Sequence, residues 1–451
     1  MEKTYVAVGG EDKDLSDQEI KELFRNALSK ALADIKNTGK VIILPPDITR
    51  IHSKAGFLTE TASEFLDDKL AAVLPALGTH TPMTDTEISK MFGGTPKEKF
   101  LIHNWRNGIT ELGSLDADWV ERTTEGAVRY DWPVQVNKML ANNSPDSGNF
   151  SLVLSIGQVV PHEVAGMANH AKNIFIGTGG KEAIDKSHFA GAVYGMERIM
   201  GRAETPVRAL FDEGIRRFAG DLPPILWALT VISARTEKET AESGQSGAVR
   251  GSLAVRGIFI GFGRECYEKA CVLAQKVNVN LIEEPVNKMV VYLEPEEYRT
   301  TWLGNKAVYR TRMVIADGGE LLILAPALER FGEDIKIDAL IRKHGYRPAK
   351  EILAKTASDP ELGGNLSAAA HLIHGSSEGR FTVRYCPGEK ISHGEIESAG
   401  FQWGSLNEAL KRYNAEKLSS GWNTCEDGER FFFVPNPALG LWSEKKRFNL
   451  L

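Results

Sequence analysis

The sequence predicts an α/β protein with two α/β lobes, mostly parallel sheets and an active-site cleft between the lobes. Three observations lead to this prediction. A chain of 451 residues is longer than a single hydrophobic core usually organises. Short apolar runs alternate along it with segments of helical periodicity, which is typical of parallel strands joined by covering helices. The 43 glycines favour the tight turns that connect strands to helices.

The first lobe is predicted from short apolar runs followed by helical segments. Strands are expected at Lys40–Leu44, within Leu70–Leu77, at Phe150–Ile156 and, as a short segment, at Asn173–Ile176. Helices are expected at Gln18–Leu32 and Lys186–Met200, and a third from Thr84, which has capping-box spacing with Glu87. We therefore assign residues 1–280 to an N-terminal catalytic and cofactor-binding α/β domain.

A second alternating unit follows the polar segment Thr236–Gly251, which we interpret as an exposed loop, and a helix at Cys266–Lys276. The strands of this unit are expected at Lys288–Leu293, Glu320–Ala325 and Phe381–Tyr385. Its helices are expected at Trp302–Ile315, Ile335–His344 and Ser405–Glu416. Residues 281–451 are therefore predicted to form a C-terminal α/β domain that closes the cleft.

Charge and composition limit the possible partners. A formal net charge of −6 gives no overall attraction to nucleic acid or to an anionic membrane, so neither is expected as a partner. The N-terminal stretch MEKTYVAVGGEDKD lacks the apolar core of a signal peptide. The longest apolar stretch, near Leu222–Ala234, contains two prolines and is too short to span a bilayer. A cytoplasmic protein that acts on a small molecule is the resulting expectation.

Two candidate groups of functional residues follow predicted strands. In PPDITR, Asp47 and Arg50 come directly after KVIIL, at the strand end where α/β proteins bind ligands. An arginine there could hold a substrate carboxylate through two hydrogen bonds; alternatively, Asp47 caps the next element and Arg50 pairs with it. In GTHTP, His80 follows the apolar run after Leu70, where a histidine suits general acid–base chemistry.

The third candidate group lies in the stretch from Val159 to Phe189. It contains His162, Lys172 ten residues later and His188 sixteen residues after that. Imidazoles and an amine can bind a transition metal, move a proton or hold a cofactor covalently. Three glycines that precede a predicted helix could also present backbone N–H groups to a phosphate. They are Gly177, Gly179 and Gly180.

In these motifs the sequence resembles the nickel-dependent lactate racemase family and its relatives, which racemise or epimerise 2-hydroxy acids. The resemblance rests on motifs kept in order through most of the chain. They are DITR at Asp47–Arg50, GTH-x-P at Gly78–Pro82, PH-x-x-AG from Pro161 with Lys172 after it, the later His188 and, more weakly, Lys306 in GNKAVYR.

The resemblance implies a role for each matched residue. Lys172 would carry a nickel-pincer nucleotide, a pyridinium thioamide/thiocarboxylate mononucleotide, and His188 would complete the coordination of its Ni ion. His80 and His162 would act as the alternating general base and acid on the substrate. Arg50 and Lys306 would hold the substrate carboxylate, with Asp47 orienting them. Proteins that make the cofactor are then implied as further partners.

The sequence departs from the lactate pattern between these motifs. Where lactate-specific members have PHFFAG and then a glycine-rich stretch, this chain has PHEVAGMANHAKN. Glu163, Asn169 and His170 would add hydrogen-bonding groups that suit a substrate with more hydroxyls than lactate. The resulting hypothesis is a racemase or epimerase of a 2-hydroxy acid, here a sugar acid (an aldonate such as gluconate), epimerised at carbon 2.

Three alternatives stay open on the sequence. The first is a racemase of lactate or another short-chain 2-hydroxy acid. The second is a zinc-dependent hydrolase or lyase that uses His80, His162 and His188 as ligands, which gives Lys172 no role. The third is a non-catalytic protein that binds the nucleotide or an acid ligand.

Overall fold

The computed structural model describes residues 2–36, 39–235, 239 and 252–450. These residues divide into two compact units. The first comprises Met1–Ala190, Ile199–Ser233 and Leu253–Asn278, and the second comprises Gly191–Arg198, Ala234–Ser252 and Val279–Leu451, each in so far as its residues are described. The predicted loop Thr236–Gly251 lies outside the described residues except for Glu239.

The first unit is built on a six-stranded sheet and two small hairpins. Its strands are β1 (Lys3–Gly9), β2 (Val41–Leu44), β3 (Leu70–Val73), β4 (Ile109–Leu115), β5 (Trp132–Asn137), β6 (Leu152–Gln158), β7 (Pro161–His162), β8 (Gly166–Met167), β9 (Ile225–Ala234) and β10 (Leu253–Phe262). The main sheet has the order β1-β10-β9-β6-β2-β3. Within it β2 pairs in parallel with β3 and β6, β6 pairs in parallel with β9, and β1 pairs antiparallel with β10.

Helices alternate with these strands along the N-terminal part of the chain. They are Asp17–Asp34, Ala55–Leu66, Asp85–Phe92, Ala117–Thr123, Ala171–Phe175, Lys181–Tyr194, Met196–Ile199, Pro206–Phe218 and Glu265–Asn278, with 3₁₀ helices at Ile48–Ser53, Asp67–Lys69, Lys97–Lys99, Lys138–Leu140 and Ala219–Asp221. The first helix shows why such segments fold. Ser16 and Glu19 form a capping box at its N-terminus, and residues such as Phe24 and Leu28, four positions apart, bury one face against the sheet.

The second unit contains a six-stranded sheet of order β15-β14-β13-β12-β17-β16 and a two-stranded sheet of β11 and β18. Its strands are β11 (Val279–Ile282), β12 (Val286–Tyr292), β13 (Ile315–Ala325), β14 (Thr382–Pro387), β15 (Gln402–Trp403), β16 (Gly421–Thr424), β17 (Arg430–Val434) and β18 (Leu441–Glu444). Its helices are Thr301–Gly304, Lys306–Thr311, Ile335–His344, Ala349–Ser358, Pro360–Gly363, Leu366–His374, His393–Ser398, Leu406–Arg412 and Lys445–Leu450, with a 3₁₀ helix at Pro437–Leu439. Only the edge pair β16 and β17 of the large sheet is antiparallel.

The predicted α/β class with mostly parallel sheets is confirmed. Two predicted elements are wrong. Asn173–Ile176 is not a strand, because residues 171–175 form a helix. The expected helix Trp302–Ile315 is instead two short helices, Thr301–Gly304 and Lys306–Thr311, and Ile315 already begins β13. Among the described helices, none is long and apolar enough to cross a bilayer.

Candidate active site

The three loops that carry the motif residues leave neighbouring strands of one sheet. The order β6-β2-β3 is parallel throughout, so the carboxyl ends of these strands meet at the same edge. The loop after β2 carries Asp47 and Arg50, the loop after β3 carries His80, and the loop after β6 carries His162. The fold therefore brings residues far apart in sequence to one edge, as expected for a ligand site of an α/β sheet.

Asp47 caps the next element and also bonds to His80. It is the N-cap of the 3₁₀ helix Ile48–Ser53, where its Oδ1 accepts hydrogen bonds from the Thr49 backbone N–H (3.2 Å) and hydroxyl (2.5 Å). Its Oδ2 lies 2.6 Å from His80 Nδ1. Burial acts to raise the pKa of Asp47, but the charge and hydrogen bond of His80 outweigh it and lower the pKa. The carboxylate is therefore ionised and fixes the His80 ring.

The bond to Asp47 determines which nitrogen of His80 is available. A carboxylate can only accept, so Nδ1 carries the proton and donates it to Asp47. In the neutral ring Nε2 is then the nitrogen whose lone pair can accept a proton. The loop is also anchored to the Lys172 segment, because the N–H of Gly78, which has φ +58°, donates to the Gly177 carbonyl at 2.9 Å.

In His162 the Nδ1 atom accepts hydrogen bonds, whereas in His80 it donates one. His162 lies in the small hairpin β7–β8, and its Nδ1 accepts from the backbone N–H groups of Val164 (3.1 Å) and Ala165 (3.4 Å). Because an N–H can only donate, the proton of the neutral ring must lie on Nε2. Burial, followed by nearby positive charges including Lys172, holds the pKa of His162 well below its usual value, although Glu163 opposes this. His162 therefore presents a donor where His80 presents an acceptor.

Lys172 stands on a short helix that is tied to the strand ends. The helix is Ala171–Phe175, and Asn173 Nδ2 donates to the Leu44 carbonyl at the end of β2 (3.1 Å) and to Ser155 Oγ in β6 (2.9 Å). Burial and then the charge of Arg50 lower the pKa of Lys172 from 10.5 to about 8. About a tenth of the amine is thus uncharged and nucleophilic at neutral pH, far more than for an ordinary lysine.

His188 has the protonation state that a metal ligand needs. It lies in the helix Lys181–Tyr194, and its Nδ1 donates to the Ile184 carbonyl one turn earlier at 2.7 Å. Metal-binding histidines usually direct the second ring nitrogen to a carbonyl in this way, which leaves Nε2 unprotonated. Burial and then the charge of Lys172 lower the pKa of His188, so the ring is neutral. The residue fits the role of a single imidazole ligand.

These side chains form one electrostatic cluster in the first unit. Arg50, Lys172 and His188 each lower the pKa of His162, and Asp47 and Glu163 raise that of Lys172. Lys306 belongs to the second unit. There it begins the helix Lys306–Thr311, with Nζ 3.9 Å from Glu297 Oε1 and 5.5 Å from the Tyr298 ring centroid.

The glycines Gly177, Gly179 and Gly180 have a packing reason that the phosphate-cradle prediction did not include. A Cβ at Gly177 would lie 2.5 Å from the Asn173 carbonyl oxygen, and one at Gly179 would lie 1.8 Å from that of Phe175. The Gly177 N–H donates to the Lys172 carbonyl at 3.1 Å, so this amide is already committed to the helix. The cradle therefore stays a prediction for all three glycines, and at Gly177 the amide already donates within the chain.

Asn169 and His170 do not extend the cluster, contrary to the expectation that they add hydrogen bonds near the substrate. Asn169 Oδ1 accepts from the His170 N–H at 2.7 Å. The His170 ring packs between Trp227 and Tyr267, with centroids 4.3 and 4.9 Å away, and its Nε2 donates to the Gly263 carbonyl at 3.1 Å. Among the three departures from the lactate pattern, Glu163 lies near His162, with its Oε2 3.7 Å from Nδ1.

Sequence reasoning missed two buried residues that support the site. His103 Nε2 donates to the Gly179 carbonyl at 3.0 Å, and burial lowers the pKa of His103 to about 4. Arg208 is fully buried and donates to the backbone just before Lys172. Neither residue lies in a motif, and their partners are more than thirty positions away, so spacing gave no signal for them.

A metal site made of side chains alone is not found. In the described part of the chain, no group of three or more His, Cys, Asp or Glu residues is arranged to hold a metal ion. The zinc hypothesis, with His80, His162 and His188 as ligands, therefore lacks its ligand set there. A metal at His188 would need most of its ligands from another source.

Comparison with known proteins gives matches of two kinds. Residues 4–199 match the family model of the lactate racemase N-terminal domain. A solved protein from Thermotoga maritima is 24% identical, with a TM-score of 0.78, over 97% of this chain and 100% of that one. The lactate racemase apoprotein from Thermoanaerobacterium thermosaccharolyticum is 16% identical, with a TM-score of 0.67, over 96% of this chain and 94% of that one. No curated protein matches.

At these identities the solved structures establish the fold, and the family model adds the assignment of the N-terminal region. Residues 4–199 are therefore similar to the lactate racemase N-terminal domain, and the chain has the fold of the lactate racemase apoprotein over nearly its whole length.

Proposed function

We propose that this protein is a racemase or epimerase that inverts carbon 2 of a 2-hydroxy acid with a nickel-pincer nucleotide carried on Lys172. The family supports an isomerase of the racemase type. The narrower proposal depends on two histidines and a lysine. Neutral His80 has its proton on Nδ1 and neutral His162 has its proton on Nε2, and Lys172 has a lowered pKa.

The residues fit the cofactor that the family implies. A lysine whose pKa is about 8 supplies the neutral amine that covalent attachment needs. His188, with Nδ1–H bonded to the Ile184 carbonyl, offers a single Nε2 lone pair to a metal whose remaining ligands come from the bound group. When bound, the pyridinium ring of the nucleotide supplies a hydride acceptor, which avoids forming a carbanion beside the substrate carboxylate.

The protein's own groups would then manage the hydroxyl proton. His80 Nε2 would accept the proton from the hydroxyl of one stereoisomer, and Asp47 would stabilise the resulting imidazolium. Arg50 would hold the substrate carboxylate, and the expectation that Lys306 shares this role stays a prediction. The Nε2–H of His162 would face the oxygen after the planar keto acid has turned, and would donate the proton there as the hydride returns. The resulting imidazolate, whose Nδ1 accepts from the Val164 and Ala165 N–H groups, would recover a proton from solvent, to which His80 releases the one it had taken. An acceptor on one side and a donor on the other are what inversion requires.

The substrate class is proposed from the residues near His162. Glu163 lies beside His162, and its carboxylate can accept hydrogen bonds from the further hydroxyls that a sugar acid has and lactate lacks. We therefore propose an aldonate such as gluconate as the substrate, with lactate or another short-chain acid as the second candidate. A panel of 2-hydroxy acids from lactate to gluconate, followed by chiral chromatography, tests the choice, and activity on lactate alone would exclude the sugar acid.

The cofactor proposal is tested by mass. Protein from cells that make the nucleotide is expected to carry an adduct on Lys172 together with nickel, and Lys172→Ala should carry neither, while the exposed control Lys30→Ala keeps both. His188→Ala should keep the adduct and lose nickel, whereas His80→Ala and His162→Ala should keep both and lose turnover. Zinc without an adduct, or a bound acid without metal or turnover, would support a hydrolase or a non-catalytic binder instead.

A further inference from the structure

The turn that precedes Lys172 has an unfavourable backbone. Asn169 has φ +68° and His170 has φ +56°, two successive non-glycine residues in a region that L-amino acids rarely occupy. His170 is at the same time the N-cap of the Lys172 helix. Such a conformation costs free energy and persists only where the surroundings enforce it. What holds this turn therefore determines where the Lys172 helix begins.

Arg208 makes the contacts that hold the turn. It lies in the helix Pro206–Phe218 and is fully buried. Its Nη1 donates to the Asn169 carbonyl at 3.2 Å and its Nη2 donates to the Met167 carbonyl at 2.5 Å, so the planar fork spans the turn. The guanidinium carbon lies 4.7 Å from the ring centroid of Tyr267, whose hydroxyl donates to the same Met167 carbonyl at 3.2 Å.

The far side of the turn is fixed by the His170 ring. It packs against Trp227 and Tyr267, and its Nε2 donates to the Gly263 carbonyl. Arg208 and the His170 ring thus both pack on the Tyr267 ring, Arg208 through its guanidinium and His170 by stacking. The charge of Arg208 also acts on Lys172, since it contributes, after burial and Arg50, to the lowered pKa of the amine.

We propose that Arg208 is a positioning residue for Lys172: its two-armed contact with the Met167 and Asn169 carbonyls holds the strained turn from which the lysine's helix starts. The inference depends on the proposed role of Lys172 as the cofactor-bearing residue. Arg208 acts on Lys172 through the turn, and its charge contributes to the lowered pKa of the amine.

Two substitutions separate the contact from the charge. Arg208→Lys keeps a cation but cannot span both carbonyls, whereas Arg208→Met removes both contributions. The first readout uses the protein without its cofactor: acetylation of Lys172 by acetic anhydride as a function of pH, followed by mass spectrometry, with Lys30 as an internal control. The wild type should reach half of its maximal reactivity near pH 8. Arg208→Met should shift this midpoint upward by about half a unit or more, and Arg208→Lys should leave it near the wild type.

The second readout is loading of the adduct in cells that make the nucleotide. We expect Arg208→Lys to reduce the loaded fraction at least about tenfold relative to the wild type. Asn169→Gly in the same chain should partly restore it, because glycine adopts the positive φ without the strain that the fork must oppose. Rescue by a glycine would not follow if Arg208 only contributed to general stability.

The outcomes separate the two proposals. If Arg208→Lys loads as completely as the wild type, the positioning role is wrong; the same holds if a folded Arg208→Met keeps the wild-type acetylation midpoint and loading. If Arg208→Met does not fold, Arg208→Lys and its Asn169→Gly rescue decide the question. If the wild type itself never carries an adduct, the proposed function fails, while the acetylation profile still reports whether Arg208 controls Lys172.

Discussion

Lys172 should lower the stability of the protein that lacks its cofactor, and replacing it by methionine should therefore stabilise the fold. Its pKa falls from 10.5 in the unfolded chain to about 8 in the folded one. The folded state thus disfavours the charged amine by an amount that corresponds to about 3 kcal/mol. Since part of the side chain is accessible to water, this is an upper bound. Lys172→Met removes the penalty and keeps a side chain of similar length.

The effect has a defined pH dependence. Between pH 8 and 10.5 the unfolded chain binds more protons at Lys172 than the folded one, so the stability of the wild type rises with pH in this range. Below pH 8 the penalty is complete, and above 10.5 it is gone. The difference between Lys172→Met and the wild type should therefore be largest at neutral pH and vanish by about pH 10.5. Groups that do not interact with Lys172 cancel in this difference. His162 and His188, whose pKa values Lys172 lowers, are neutral throughout this pH range and add little to it.

Urea unfolding of both apoproteins at a series of pH values measures the difference directly. Lys30→Met, an exposed position on the helix Asp17–Asp34, serves as the matched control and should change stability little at any pH. A Lys172→Met protein that is less stable than the wild type at pH 7, or a difference that does not change with pH, would refute the reasoning that Lys172 is a desolvated amine.

Three further predictions concern the groups around Lys172. Asp47→Asn should lower kcat of the loaded enzyme about 10²- to 10⁴-fold with a small change in KM, because the His80 imidazolium loses its counter-charge. Steady-state kinetics on the substrate of the wild type measure both constants, and an unchanged kcat would contradict the role of Asp47. His162 should stay neutral, with its proton on Nε2, from pH 8 down to below the ordinary histidine pKa near 6.5. ¹⁵N spectra of the apoprotein with labelled histidine report the protonation of each ring nitrogen. A proton on Nδ1 would disprove the assignment. Glu163→Ala should lower kcat/KM for gluconate by about tenfold or more relative to kcat/KM for lactate. If kcat/KM falls equally for both acids, Glu163 does not determine the choice of substrate.

Much of the fold was predictable because apolar runs and caps are local signals. The strand Lys40–Leu44 appears as β2, the helix Ile335–His344 is found with the predicted bounds, and Thr84 forms its capping box with Glu87. The predicted helix Lys186–Met200 starts earlier, at Lys181, and ends at Tyr194, because Gly195 has φ +109° and cannot continue it. Asn173–Ile176 failed because four apolar-rich residues fit a strand or a helix turn equally well.

The histidines and Lys172 were found because reactive side chains in glycine-rich loops are visible in the sequence, but their protonation states were not. The tautomer of His80 depends on Asp47, thirty-three positions away, and that of His162 on the direction of two backbone N–H groups in a hairpin. Arg208 meets its carbonyl partners thirty-nine and forty-one positions away. Contacts of this kind arise from the tertiary fold, and no spacing rule anticipates them.

The stretch between His162 and Lys172 shows how the same residues can mislead when only their chemistry is considered. Asn169 and His170 stand where the lactate-type pattern has a glycine-rich stretch, and as polar groups they suggested substrate contacts. Their positive φ values give a different explanation. The turn needs a backbone conformation that glycine adopts easily, and in this chain the contacts of Arg208 and the Tyr267 ring hold non-glycine residues in that conformation. The departure from the pattern is then compensated inside the protein, and Glu163 is the difference that lies beside His162. Substitutions that exchange substrate preference should accordingly be sought at Glu163, and those that change cofactor loading at the turn.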